Sequence, residues 1–333
     1  MHAICRILAL VSLLLLPLVA ASCGTERAAE GGKVTVALDW YPNANHAGLY
    51  LAKERGYFRQ AGLDVTLYTP ANPDDVLQLV GTGKDTFGIS YEADVLLARA
   101  QGIPVRAIAA IVQHPLNSLM ALQSSGITRP KDLEGKKVGG TGLPGEEAML
   151  ATMLAADGSS LDRVQMVNVG YDLLPALLSG RVDAIAGGYW THEAILAEQQ
   201  GHPVTVLRVE DWGVPDYYEL VLVTSEETIA NRPELVQRFV DAVVHGYEDA
   251  VADHAAALDA IQANYAEMDR ATEERGIERL APLFVDASRG FGWQAAEKWS
   301  HFAGWMEERG LLTTPVDADA AFTNQFLERA GGR

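Results

Sequence analysis

The sequence predicts an α/β protein of two facing lobes completed by a helical C-terminal region, and three observations predict it. From Lys33 onward, short β-branched runs alternate with longer stretches carrying apolar residues at helical spacing, the pattern of helices packed on largely parallel sheets. After about Thr228 the strands stop and each segment reads as helix. Two segments also echo each other: Leu79-Val80-Gly81-Thr82-Gly83-Lys84 leads to Phe87-Gly88-Ile89-Ser90-Tyr91-Glu92, and Leu177-Leu178-Ser179-Gly180-Arg181 leads to Ile185-Ala186-Gly187-Gly188-Tyr189-Trp190. In each, a helix ends at Gly plus a basic residue, and a short buried strand then delivers an aromatic side chain at its carboxyl end, where ligands of open α/β sheets bind. Two such loops in two lobes would face each other across a cleft.

Taken in order, 34–38 is a strand, and 47–60 has Leu49, Leu51, Tyr57 and Phe58 at helical spacing before Gly62 ends it. Residues 64–68 alternate, 74–80 are helical, and 87–90 are a buried strand. Segments 92–100, 105–112, 145–156, 164–169, 173–178, 184–186, 193–199 and 204–207 continue the alternation. Two apolar stretches that run into polar turns, 119–123 and 218–224, read as strands passing between the lobes. The remainder, 233–252, 254–265, 272–284, 293–309 and 317–329, is helical by period, with no strand among them.

Composition sets the outer limits. The 333 residues are 48 % apolar and 21 % charged, a globular composition. Against 44 Asp and Glu stand 26 Lys and Arg, and a net charge of −18 repels phosphate backbones, so a nucleic-acid partner is not expected. The two cysteines, Cys5 and Cys23, both precede the folded region, which leaves it no disulfide, thiolate nucleophile or Cys-based zinc site. Arg6 followed by the apolar run 7–20 reads as a signal peptide. Its end, Leu18-Val19-Ala20-Ala21-Ser22-Cys23-Gly24, resembles a bacterial lipobox in which Cys23 is lipidated; ordinary secretion with cleavage near Ala21 is the alternative. Two acyl chains on Cys23 would meet the two-signal requirement for stable anchoring. The small and charged residues that follow, to Gly32, read as a tether.

Four loops carry residues suited to holding a ligand. Asp39-Trp40-Tyr41-Pro42-Asn43-Ala44-Asn45-His46, between the first strand and first helix, offers a flat ring and several hydrogen-bonding groups, although Trp40 equally suits a core and Asn45 a helix cap. Gly140-Thr141-Gly142-Leu143-Pro144-Gly145 matches G-x-G-x-x-G, but it lies mid-chain, contains Pro144 and belongs to an exported protein without a ready supply of NAD. What it retains is a set of N–H groups at a helix start, favourable to an electron-rich ligand group. Gly187-Gly188-Tyr189-Trp190-Thr191-His192-Glu193 and its echo Ser90-Tyr91-Glu92 supply aromatics and carboxylates. Flat faces with carboxylates at their edges suit a planar nitrogen heterocycle, whose amino edge donates two N–H bonds to one carboxylate. No G-x-S-x-G elbow or H-E-x-x-H helix is present, and the eight histidines are scattered.

The run Leu38-Asp39-Trp40-Tyr41-Pro42-Asn43-Ala44-Asn45-His46-Ala47-Gly48-Leu49-Tyr50, with Gly56-Tyr57-Phe58, Gly62-Leu63-Asp64-Val65, Leu133-Glu134-Gly135-Lys136-Lys137-Val138-Gly139, Gly180-Arg181-Val182-Asp183-Ala184 and Arg232-Pro233-Glu234, closely resembles the NMT1/THI5-like family of periplasmic-type binding proteins. Within it the chain looks most like the lipoproteins that bind formylaminopyrimidine and deliver it to an ABC importer. The resemblance implies a type II periplasmic-binding-protein fold: two α/β lobes joined by two crossing strands, with the helical C-terminal region packed on lobe 1. It divides the chain into a signal peptide (1–22), a tether (23–32), lobe 1 (33–122 and 226–333) and lobe 2 (123–225). It further implies a lipid-anchored, extracytoplasmic monomer without cofactor, serving an ABC permease and its ATPase. The pyrimidine ring would lie between Trp40 and Tyr189, with Glu193 reading its amidine edge and Asn43, His46, Tyr91, Glu92, Gly140, Thr141 and Gly142 as further wall positions.

Two alternatives stand beside this reading. The fungal pyrimidine synthases of the family use PLP and their own histidine, with a Lys and a His in the loop matching 90–94 and a cysteine-rich run near the second crossing. Here Ser90 and Asp94 occupy those positions, and Tyr217-Tyr218-Glu219 replaces the cysteines. Another small ligand, such as riboflavin or a sulfonate, is the second; a sulfonate or nitrate site needs a cationic residue, and none of the four loops carries Lys or Arg.

Overall fold

A computed structural model describes residues 32–330. The signal peptide, Cys23 and the tether lie outside the described residues, except Gly32, which opens the first strand. Ten strands make two five-stranded sheets: β1 (Gly32–Ala37), β2 (Leu63–Tyr68), β3 (Phe87–Ser90), β4 (Val105–Val112) and β10 (Leu220–Ser225) in the first, β5 (Asn117–Leu122), β6 (Lys137–Gly140), β7 (Gln165–Asn168), β8 (Ala184–Tyr189) and β9 (Val204–Arg208) in the second. Their orders, β2-β1-β3-β10-β4 and β7-β6-β8-β5-β9, correspond strand for strand.

Each sheet is mixed where a largely parallel one was expected. β1 runs parallel to β2 and β3, but β10 pairs antiparallel with β3 and β4. In the second sheet β6 is parallel to β7 and β8, while β5 is antiparallel to β8 and β9. The reason is connectivity: β5 and β10 each enter from the other lobe without the crossover helix that parallel neighbours need. The chain crosses at 113–116, between β4 and β5, and returns at 209–219, between β9 and β10. The expected lobe boundaries therefore move. The stretches read as crossing strands are interior strands of the lobe being entered, and the crossing is made by the residues ahead of them, not by the polar turns behind.

The long helix Pro233–Ala252 packs Phe239 between Phe58 and Phe87, at ring distances of 5.3 and 3.9 Å. Further along, the C-terminal region bridges Ala110 to Gly292 and Ala107 to Phe322 beside β4, so it is packed on the first sheet. Local departures have local causes. The expected helix 47–60 breaks at Gly56, whose φ of 76° starts a separate turn, Tyr57–Gln60. A small antiparallel pair, Val285–Asp286 with Gly290–Phe291, stands where no strand was expected, and 317–329 holds only the short helix Ala318–Ala321 and the start of Leu327–Ala330. Among the described residues no helix is long and apolar enough to cross a membrane.

Candidate functional site

The carboxyl ends of β1, β3, β6 and β8 converge on a cavity of about 560 Å³, part of it open to solvent. From the first lobe come Asp39, Trp40 and Asn43 after β1, and Tyr91 and Asp94 after β3. The second lobe supplies Thr141 and Glu146 after β6, and Tyr189, His192 and Glu193 at the end of β8. Asn117 and Glu219, at the ends of the two crossings, complete the lining.

Six of the residues anticipated from sequence thus line the cavity: Trp40, Asn43, Tyr91, Thr141, Tyr189 and Glu193. The other four do not. His46 is fully buried; its Nε2 donates to Asp39 Oδ1 at 2.9 Å and its Nδ1 accepts from Asn43 N at 3.2 Å, so it shapes the loop from behind. In that loop the capping residue is Asn43, whose Oδ1 accepts from Asn45 N at 2.8 Å, and not Asn45. Glu92 is also fully buried: its Oε2 accepts from Tyr218 N at 2.6 Å, and burial pushes it up to about 8. Gly140 is a paired residue of β6, and Gly142 lies against the Asn168 side chain.

The helix starts facing the cavity already have occupants. Glu146 Oε2 accepts from Thr141 N at 2.8 Å and from Thr141 Oγ1 at 3.1 Å, and Gly145 N donates to Asp94 Oδ1 at 3.3 Å. The N–H groups expected to meet an electron-rich ligand are therefore taken by the protein's own carboxyls. Asp94, Glu146 and Glu193 each sit in the first turn of a helix, where acidic residues are ordinary complements of the dipole. Nothing in such a placement marks Asp94 or Glu146 as cavity residues, and sequence reasoning missed them along with Asp39, His192 and Glu219.

Burial dominates the electrostatics. It raises Asp94 to about 7, Glu146 to about 8 and Glu219 to about 7, against backbone hydrogen bonds that pull each back. Glu219 accepts from Leu116 N at 2.6 Å, Asn117 N at 2.9 Å, Tyr217 Oη at 2.8 Å and Tyr189 Oη at 3.2 Å, so one carboxyl ties both crossings to a cavity ring. His192 behaves oppositely: burial lowers it, but Glu193 at 3.7 Å and Glu273 at 2.9 Å outweigh burial and hold it at about 9. Tyr91 donates to Asp39 Oδ2 at 3.2 Å, and Tyr189 N donates to Glu193 Oε2 at 2.8 Å. The lining thus has three rings for stacking, five carboxyl groups and no Lys or Arg. Among the described residues no group of His, Cys, Asp and Glu is placed to hold a metal ion.

Comparison with known proteins adds an independent line. The family described as NMT1/THI5 like matches over residues 43–257. A formylaminopyrimidine-binding protein of Halalkalibacterium halodurans is 37 % identical over 95 % of this chain and 98 % of its own. The 4-amino-5-hydroxymethyl-2-methylpyrimidine phosphate synthase THI13 of Saccharomyces cerevisiae is 26 % identical over 89 % of this chain and 88 % of its own. Among solved structures, the alkanesulfonate-binding protein SsuA of Xanthomonas axonopodis pv. citri superimposes with a TM-score of 0.71 at 16 % identity, covering 87 % of this chain and 98 % of that one. The fold is the type II periplasmic-binding-protein fold.

Proposed function

Because this chain belongs to the NMT1/THI5-like family, we propose that it is an extracytoplasmic solute-binding protein that captures a thiamine-precursor aminopyrimidine between its lobes and presents it to an ABC permease. The observation that carries this reading is the lining: Trp40, Tyr91 and Tyr189 rings with five carboxyl groups and no Lys or Arg. The one cationic side chain of the lining, His192, is already held by Glu193 and Glu273, so an anion such as a sulfonate would find no free cation there. An aminopyrimidine supplies N–H donors instead, its ring stacking between Trp40 and Tyr189. Glu193 holds Tyr189 N through Oε2, and its Oε1, 3.7 Å from His192 Nε2, is the oxygen that reads the amidine edge. Asn43, Tyr91 and Thr141 complete the walls.

In this reading Cys23 carries the lipid anchor and the mature chain acts as a monomer. The synthase reading lacks its equipment, since Ser90 and Asp94 stand where that branch has Lys and His. A thermal-shift panel decides between ligands. Formylaminopyrimidine or hydroxymethylpyrimidine raises the melting temperature, and alkanesulfonates do not; stabilisation by a sulfonate or a flavin alone would overturn the assignment. At a hundredfold excess over Kd the expected stabilisation is about 2.7 kcal/mol.

A further inference from the structure

At the edge of the cleft farthest from the crossings, the loop after β7 and the loops after β1 and β2 meet through one side chain. Tyr171 packs edge-on to Trp40, with ring centres 4.7 Å apart and planes at 71°, and lies 5.0 Å from the Tyr41 ring. Its hydroxyl donates to Pro70 O at 3.3 Å. These partners follow β1 and β2 in the first sheet, whereas Tyr171 follows β7, the outer strand of the second. β2 and β7 are the edges opposite β4 and β9, next to which the chain crosses, so this is where opening separates the lobes most. The loop is built to place that ring: Asn168 Oδ1 accepts from Gly170 N at 2.9 Å, and Gly170 takes a left-handed φ of 54° just before Tyr171. Tyr41 is 45 % exposed even with this contact made, and is the only large apolar side chain so exposed among the described residues.

We infer that Tyr171 is the outer latch of the cleft and the positioning residue of Trp40: it bridges the lobes at the mouth and fixes the Trp40 ring whose face meets the ligand. The inference rests on the proposed capture of a small ligand only for its effect on release, not for its effect on closure. An edge-to-face aromatic contact adds attraction beyond its area, and here it is available only when the lobes have met. The latch therefore slows escape and leaves entry into the open cleft untouched.

The test uses protein carrying Cys5→Ser and Cys23→Ser, which has no other thiol, with spin labels at Asp64→Cys on β2 and Gln165→Cys on β7, both exposed. The distance between labels is expected to lengthen in Tyr171→Ala, with and without formylaminopyrimidine. Ligand dissociation in Tyr171→Ala is expected to speed up at least ~10-fold with the association rate unchanged, a loss of ~1.4 kcal/mol. Tyr171→Phe keeps the ring contacts and is expected to keep the short distance. Identical distances in Tyr171→Ala and the parent overturn the latch, as does an equal loss in both rates. If the parent binds none of the pyrimidines yet Tyr171→Ala still lengthens the distance, the latch stands and the ligand reading falls.

Discussion

A methyl group added at Gly187 would lie 1.6 Å from Glu146 Oε1, and the backbone there has a φ of 89°. Both facts make this glycine part of the cavity wall: the carboxyl of Glu146 rests where any other residue's side chain would begin. Gly187→Ala is expected to cost about 1–3 kcal/mol, measured as the urea midpoint, because strain and displacement act together. It is also expected to weaken ligand binding, because Glu146 must leave its place against Thr141. Trp40→Ala removes a stacking face, and Glu193→Gln halves the carboxylate's accepting edge. Each is expected to weaken formylaminopyrimidine binding at least ~10-fold by calorimetric titration. Unchanged affinity in both variants would place the ligand elsewhere. Trp40 and Tyr189 were reachable from the sequence through their places at the carboxyl ends of strands and through the family resemblance, since each aromatic by itself suits a core equally well. His46 misled, because its hydrogen bonds go to Asp39 and Asn43 behind the loop, and no spacing rule reveals that.

At the scale of elements, the helices Ala47–Glu54 and Pro233–Ala252 meet with their glycines in close approach. A Cβ on Gly246 would stand 2.1 Å from Gly48 O, and one on Gly48 would stand 2.3 Å from the Tyr247 ring. In an exposed helix Gly→Ala gains up to ~1 kcal/mol from propensity. Here the obstructing atom is a carbonyl oxygen in a helix, so Gly246→Ala is expected to lose ~1–3 kcal/mol instead. Chemical denaturation checks the sign, and a stabilised variant would mean the two helices separate easily. Helix 92–100 was read to the residue because its period is unbroken between Tyr91 and Gln101. The sheet membership of β5 and β10 was not legible. Their apolar runs announce burial, but which sheet buries them depends on partners roughly 60 to 135 residues away, such as Gly188 for Ser118 and Gly88 for Val223.

For the molecule as a whole, the cavity acids set a pH dependence. In the folded state Asp94, Glu146 and Glu219 sit at about 7, 8 and 7, above the ordinary carboxyl range of roughly 4. Between those values the folded chain holds more protons than the unfolded one, so stability falls as pH rises. That contribution is full below about pH 4 and gone above about pH 8. His192, held at about 9 against an ordinary 6.5, works in the same direction and is lost higher still. Asp157, lowered to about 2 mainly by its hydrogen bond with Arg129, opposes them only at acid pH. The melting temperature is therefore expected to peak in mild acid and decline through neutrality, and Glu146→Gln is expected to flatten the decline. A melting temperature that rises from about pH 5 to pH 8 would contradict the assignment.

The place of β10 between β3 and β4 has a consequence in time. A chain emerging from the ribosome presents β1 to β4 first, yet the place between β3 and β4 stays empty until residues 220–225 appear. All five strands of the other sheet, by contrast, lie within 117–208, an unbroken stretch of chain. The lobe that begins later in synthesis can therefore finish earlier, with the first lobe sealed around it by the returning strand and the C-terminal helices. Pulse-labelled hydrogen exchange during refolding is expected to protect Ile185 and Met120 before Ile89 and Leu222. The reverse order would show that the split sheet nucleates before β10 joins β3 to β4.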